Sequence, residues 1–339
     1  MRILALQLKR IGDLILTTPA LRLLRETCPE AHIALAVNDG CRALLPAIDS
    51  VDSTIVFGPK RGFAPWQQVI AGGWDLCVDF TGSDRSAFAT ALSRAKCRAT
   101  FSSVRRQRLR ALAYNRSADS AVRERHTVDH YLDLAKAVVE NHKEPLGEAQ
   151  PHLSIPDDAS TAALGLLRTR GVTGPFALLH PGTARAEKFW TAEGWTVLQR
   201  RLSDRPDLAC VLTGGSDSYE LEHVARIAAR SAGRALNLAG QIDLLTLAAL
   251  AERARIVISC DTAMVHLAAA FGTPQVALYG PTNPFHWRPR HARAVVLSSA
   301  QPDAPLTEFA PRMRGAPMEA LSTEAVVRAT EGLLARTAL

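Results

Sequence analysis

Four short stretches combine a carboxylate, a hydroxyl or an ammonium group with small residues directly behind an apolar run. In LKRIGDLILTTPAL (8–21), Asp13 follows Gly12 just past the first apolar segment. This spacing predicts a loop at the carboxyl end of a strand. Gly12 would let the backbone approach a ligand there, and Thr17-Thr18-Pro19 would open the following helix. A carboxylate so placed can take the proton of a substrate hydroxyl, although a turn or cap aspartate carries the same local signature. In LLHPGTARAEKFWTAEGW (178–195), Pro181-Gly182-Thr183 forms a turn with bare amides, and Lys188 follows five residues later. Thr183 and Lys188 together suit a diphosphate, the hydroxyl donating and the ammonium supplying a point charge.

The other two stretches add polar groups of a different kind. LTGGSDSYELE (212–222) sets Gly214 and Gly215 immediately after an apolar run, with Glu220 or Glu222 able to accept from ribose hydroxyls. CDTAMVHLAAAFGTP (260–274) places Asp261 and Thr262 between the β-branched run Ile256–Ser259 and a helical stretch, Ala263–Phe271, stopped by Gly272 and Pro274. Asp261 there either caps the helix or accepts from sugar hydroxyls while the helix amides hold a phosphate. His266, five residues past Asp261, fits a buried structural histidine as well as a ligand contact.

Several chemistries find little support. A GxGxxG fingerprint is absent, which disfavours dinucleotide redox chemistry. No Asp-x-Asp pair occurs to hold a divalent cation against a nucleotide-sugar diphosphate. His126, Asp129 and His130 share a helix face, but nothing else has ligand spacing, so no metal site is expected.

The elements that position these residues form two series. Ile3–Leu8, His32–Val37, Thr54–Phe57 and Leu76–Phe80 read as strands, with helical patterns at Thr18–Glu26, Trp66–Ala71 and Thr127–Glu140. The polar, proline-containing stretch 142–156 interrupts the alternation and reads as a linker. Strands then resume at Phe176–His180, Leu208–Thr213, Ala235–Leu238, Ile256–Ser259 and Gln275–Leu278, with helices at Ala192–Leu202, Leu244–Arg253 and Thr323–Leu334. Two β/α series predict two Rossmann-like α/β domains facing across a cleft, with ligands at the carboxyl ends of the strands.

Composition limits the class. Hydrophobic content of 47% and charged content of 22% are ordinary for a globular chain of 339 residues. No apolar run is long enough for a membrane-spanning helix, and the N-terminal MRILALQLK is too short for a signal peptide. The six scattered cysteines read as free thiols in a reducing cytoplasm. Of the net charge of +7, residues 1–155 carry +5, concentrated in the seven arginines of 104–125. That excess predicts an anionic partner. Nucleic acid is disfavoured, because no recognisable module occurs and few aromatics accompany the arginines.

GDLILTTPAL, HPGTARAEKFW, the glycine pair with its glutamate, and DTAMVHLAAAFGTPQVALYGPTNPFHWRP together resemble glycosyltransferase family 9, in the family's order and over nearly the whole chain. These are the heptosyltransferases of the lipopolysaccharide inner core. The resemblance implies the GT-B fold, with an acceptor-binding domain over 1–150 and a nucleotide-sugar-binding domain over 151–339, the last helix packing on either. It also implies a cytoplasmic, inverting enzyme that takes heptose from ADP-L-glycero-D-manno-heptose with no metal or cofactor. Residue by residue, Asp13 matches the catalytic base and Lys188 the phosphate-contacting lysine. Asp261 matches the heptose-binding aspartate, Thr262 and Ala263 the amides that hold the diphosphate, and His266 the recurring histidine. Gly12, Lys60, Arg61, Arg105, Arg106 and Arg108 fall on the side of the anionic lipid A–Kdo/heptose acceptor, where the inner face of the inner membrane is also within reach. LYGPTNPFHWRP (278–289) looks most like the branch adding a side-branch heptose. Other GT-B transferases or nucleotide-sugar epimerases, and a non-catalytic anion-binding protein, are the alternatives.

Overall fold

The computed structural model describes residues 1–139, 148–231 and 233–337, and only the backbone of Arg108. Glu140 and positions 142–147 of the expected linker lie outside the described residues. The chain divides into two units, Met1–Ser154 and Ile155–Leu339.

The first unit has six strands, β1 (Arg2–Gln7), β2 (His32–Asn38), β3 (Ser53–Phe57), β4 (Leu76–Asp79), β5 (Cys97–Phe101) and β6 (Arg116–Ala118). They form one parallel sheet in the order β3-β2-β1-β4-β5-β6. Its helices are α1 (Ile11–Thr27), α2 (Ala64–Ala71), α3 (Asp84–Ser93), α4 (Ser102–Arg105), α5 (Arg108–Ala111) and α6 (Thr127–Lys136). β1 is buried from its second residue on, as a central parallel strand must be. The last two strands carry Cys97-Arg98 and Arg116-Ser117 and sit toward the sheet edge, so they lack the apolar run that marks the others.

The first helix begins at Ile11, so Gly12 and Asp13 are helical and not in a loop. Pro19 lies inside this helix and cannot donate to the Ile15 carbonyl. The Thr18 hydroxyl donates to that carbonyl instead, at 2.7 Å. Thr17-Thr18-Pro19 is therefore a repaired interior and not a helix entry.

The second unit repeats the plan. Its strands are β7 (Phe176–His180), β8 (Ala209–Leu212), β9 (Ala235–Asn237), β10 (Ile256–Cys260), β11 (Gln275–Tyr279) and β12 (Ala294–Ser298). They lie in the order β12-β11-β10-β7-β8-β9, again all parallel. Helix α10 (Leu244–Arg253) packs on both α7 (Asp157–Thr169) and α11 (Ala263–Ala270), and α8 (Ala192–Ser203) packs on α9 (Ser218–Arg230). The last helix, α12 (Thr323–Arg336), lies on α8, β11 and β12. Trp190, Trp195, Leu198, Val224 and Ile227 fill the core between β7, β8 and the α8–α9 layer.

Each sheet reverses its winding once, between β1 and β4 in the first unit and between β7 and β10 in the second. At such a switch point the helices leave on opposite faces and open a crevice beyond the carboxyl ends of the strands. The register is level there, with Leu6 opposite Asp79 and Ser259 opposite His180.

Candidate functional site

In the first unit, the turn after β1 is held from several sides. The Leu8 amide donates to Thr81 Oγ1 at 2.7 Å, the Asn38 side-chain amide donates to the Leu8 carbonyl, and Leu14 N donates to Arg10 O. Thr81 is fixed in turn by Asp79, a fully buried carboxylate at the end of β4. Asp79 Oδ1 accepts from the Thr81 and Gly82 amides, and Oδ2 accepts from the Tyr114 hydroxyl at 2.6 Å. Burial raises the Asp79 pKa, and these donors oppose the rise.

From this turn α1 carries Asp13 in its first turn, half-buried, among amides whose dipoles favour a carboxylate. The Tyr131 hydroxyl, from α6, donates to Asp13 Oδ1 at 2.7 Å. Burial, and then the Asp13 charge, push the Tyr131 phenol well above its usual range, so it stays a donor. The Lys9 ammonium lies 5.6 Å from the centre of the same ring. Asp13 Oδ2 has no partner among the described residues. The neighbouring Cys41 thiol is pushed up to about 11, by burial first and the Asp13 charge second, which removes it as a nucleophile.

The candidate histidine pair resolves as structure. His126 caps α6, its Nδ1 accepting from Val128 N, while His130 stacks on Phe101 at 3.7 Å and meets Ser120 Oγ. No group of three or more metal-type ligands occurs among the described residues.

The arginine-rich segment is partly spent on the fold. Arg110 binds Asp84 and the Gly82 carbonyl, Arg125 binds Asp133, and Arg116 donates to the Ala137 carbonyl. Lys60 is exposed in a 3-10 turn, and its neighbour Arg61 pairs with Asp39 at 3.5 Å. Arg105 and Arg106 are exposed and make no ion pair among the described residues. The Arg108 side chain lies outside the described residues.

In the second unit the expected residues converge on the β7–β10 crevice. Thr183 is buried beyond β7, and Lys188 ends a 3-10 turn at Ala186–Lys188. Its Nζ meets Asp261 Oδ2, just past β10, at 2.5 Å. Only 15% and 9% of these two side chains are exposed. Thr262, and not Asp261, caps α11, its Oγ1 accepting from Met264 N at 3.1 Å. Ala263 opens that helix, and His266 is buried in its second turn.

Glu220 and Glu222 part company on α9. Glu222 is exposed, whereas Glu220 is 5% exposed and accepts from the Gly215 amide at 2.7 Å. A Cβ at Gly182 would lie 2.6 Å from the Glu220 carboxyl carbon, so the glycine lets the loop after β7 close on this side chain. Gly214 follows β8 as expected, and a Cβ there would press on Val224 at 3.1 Å. Burial raises the Glu220 pKa and the Gly215 hydrogen bond lowers it.

Tyr131, Asp79 and Thr81 escape the sequence reading. Each acts through a partner tens of residues away, and nothing local distinguishes them from core residues.

The sequence model of glycosyltransferase family 9 (heptosyltransferase) matches residues 63–314. The chain belongs to glycosyltransferase family 9. It is a glycosyl-transferring enzyme with the GT-B fold. The family match spans Thr183, Lys188, Glu220 and Asp261, and begins after Asp13. Lipopolysaccharide heptosyltransferase 1 of Salmonella typhimurium is 28% identical, over 84% of this chain and 90% of that protein. Relatives named heptosyltransferase 2 and 3 match at 26%, so identity selects no branch of the family. Among solved structures, E. coli ADP-heptose lps heptosyltransferase II superposes with a TM-score of 0.81 at 21% identity, covering 99% of both chains. E. coli heptosyltransferase WaaC with ADP-2-deoxy-2-fluoro heptose superposes with a TM-score of 0.75 at 24% identity, covering 98% of this chain and 99% of that one.

Proposed function

We propose that this family 9 enzyme moves heptose from ADP-L-glycero-D-manno-heptose to a hydroxyl of the lipopolysaccharide inner core, inverting the anomeric centre and requiring no metal. The observation that carries this reading is the clustering of Thr183, Lys188, Glu220 and Asp261 at the switch point of the second sheet. The names of the relatives and the ADP-sugar bound to a structural neighbour support the donor.

The first unit supplies the base and the second holds the donor. An acceptor hydroxyl attacks the anomeric carbon while its proton passes to Asp13 Oδ2. The bond from that carbon to the diphosphate oxygen breaks, and ADP leaves with the electron pair. Tyr131 occupies Oδ1 and keeps the carboxylate turned so that Oδ2 faces substrate. A phosphate oxygen competes with Asp261 for the Lys188 ammonium. Once Lys188 turns to the diphosphate, Asp261 accepts from heptose hydroxyls, while the Ala263 amide and the α11 dipole stabilise charge developing on ADP. Glu220 accepts from the ribose. Lys60, Arg61, Arg105 and Arg106 meet the phosphorylated acceptor, with Gly12 beside its hydroxyl.

Calorimetric titration with ADP, with and without EDTA, tests the donor site. The expected result is binding that EDTA leaves unchanged and that weakens about tenfold or more in Lys188→Ala, the loss of one charged phosphate contact. Tight binding of a uridine or guanosine diphosphate in place of ADP would instead favour another nucleotide-sugar.

A further inference from the structure

We propose that Gln7 is a positioning residue for Asp13, its amide hydrogens holding the hydroxyls of Thr17 and Tyr131 so that their own hydrogens turn to Asp13. This rests on Asp13 acting as the base.

Gln7 closes β1 and is fully buried, the one polar residue among the buried positions of that strand. A central parallel strand covered on both faces calls for apolar side chains, so a glutamine there needs partners. Its Nε2 donates to Thr17 Oγ1, on α1, at 2.7 Å. The same side chain is hydrogen-bonded to the Tyr131 hydroxyl, on α6, in the direction that lowers the phenol pKa, as an N–H donor does.

Each of these hydroxyls has a single hydrogen, and each spends it on Asp13. Thr17 Oγ1 donates to the Asp13 carbonyl at 2.7 Å, and the Tyr131 hydroxyl donates to Asp13 Oδ1 at 2.7 Å. Both therefore show Gln7 only lone pairs, and the amide must present its NH2 group to them. Its Oε1 is left buried without a partner among the described residues. Turning the amide over would bring that oxygen against two hydroxyls whose hydrogens are already committed, and one of them would have to leave Asp13. The orphaned oxygen is the cost of keeping both hydroxyls on the base.

The two arms act on different parts of Asp13. Thr17 braces the turn of α1 that carries the residue, and Tyr131 holds its carboxylate with Oδ2 left for substrate. Gln7 is sealed from solvent and acts only through these hydroxyls. Its effect falls on the rate of transfer and not on donor binding, whose residues lie in the second unit.

Transfer kinetics of Gln7→Met and Gln7→Glu, alone and in a Tyr131→Phe background, test this role, with Asp13→Asn as the reference and circular dichroism as the check on folding. Gln7→Met keeps the bulk of the side chain and removes both donors. Gln7→Glu keeps its shape and cannot donate to both hydroxyls in either protonation state, so either variant decides the question should the other not fold. Each should lower kcat about 3- to 10-fold with the KM for donor within about twofold, and the loss should shrink to about twofold or less in the Tyr131→Phe background. A wild-type kcat in either folded variant, or the same loss in both backgrounds, overturns the role of Gln7 and leaves the base in place. Asp13→Asn transferring at the wild-type rate removes the base and this inference with it.

Discussion

Tyr131 and Asp13 are 118 residues apart in sequence and 2.7 Å apart in space. The phenol is buried and stays protonated, so its effect on Asp13 is orientation by a permanent donor. Tyr131→Phe keeps the packing against Phe80 and removes only that hydrogen bond. Steady-state kinetics should show kcat lowered about 10- to 100-fold with the KM for donor nearly unchanged, in line with the loss of one hydrogen bond to a charged group. An unchanged kcat would remove Tyr131 from the mechanism. The Lys188–Asp261 pair makes a second claim at this scale. Lys188→Met leaves a buried carboxylate without its counter-charge and should lower stability by about 2–4 kcal/mol in urea unfolding, with much of the loss recovered by adding Asp261→Asn. Failure of the second substitution to recover anything would mean that the pair is not coupled. Lys188 and Asp261 are legible in sequence because each follows a strand at a turn, but their pairing across 73 residues is not. The same limit kept Glu220 and Glu222 equivalent until packing buried one of them.

At the scale of elements, the glycine after β7 and the start of α9 work as a unit. Gly182→Ala places a methyl group 2.6 Å from the Glu220 carboxyl carbon, and that buried side chain must move. Calorimetry should show ADP affinity reduced about tenfold, with overpacking costing about 1–3 kcal/mol of stability. Unchanged ADP affinity would remove Glu220 from the nucleoside contact. The central strands were readable to within a residue or two because burial on both faces forces continuous apolar, β-branched runs. The start of α1 was not readable. Gly12-Asp13 carries the signature of a turn and Pro19 that of a helix entry, and only the Thr18 hydroxyl, covering the Ile15 carbonyl, makes an interior proline tolerable. β5 and β6 were missed because Arg98 and Arg116 interrupt their apolar pattern; nothing in the apolar run of β12 explains why it was missed.

At the scale of the whole molecule, four histidines with depressed pKa values set an acid limit on stability. Burial depresses His130, His180, His223 and His291 to about 4, against 6.5 for an exposed histidine. Between those values the unfolded chain binds more protons than the folded one, so stability is lost as pH falls from about 6.5 toward 4 and levels off below. The linkage is on the order of 1–3 kcal/mol for each group. Asp79 and Glu220, whose pKa values are raised by burial, offset part of this loss at the acid end of the window. Urea unfolding at pH 7 and pH 5 should show a lower midpoint at pH 5. A higher midpoint at pH 5 would mean that the histidines are charged in the folded chain.

The proposed mechanism belongs to the whole molecule, because Asp13 lies in the first unit and Lys188, Glu220 and Asp261 in the second. Single-turnover transfer from ADP-heptose by wild-type enzyme and by Asp13→Asn tests this most directly, with ADP affinity measured on both. Asp13→Asn should cut the transfer rate by about 10²–10⁴-fold while ADP binds within about twofold of wild type. A variant that transfers at the wild-type rate would contradict Asp13 as the base and, with it, the mechanism.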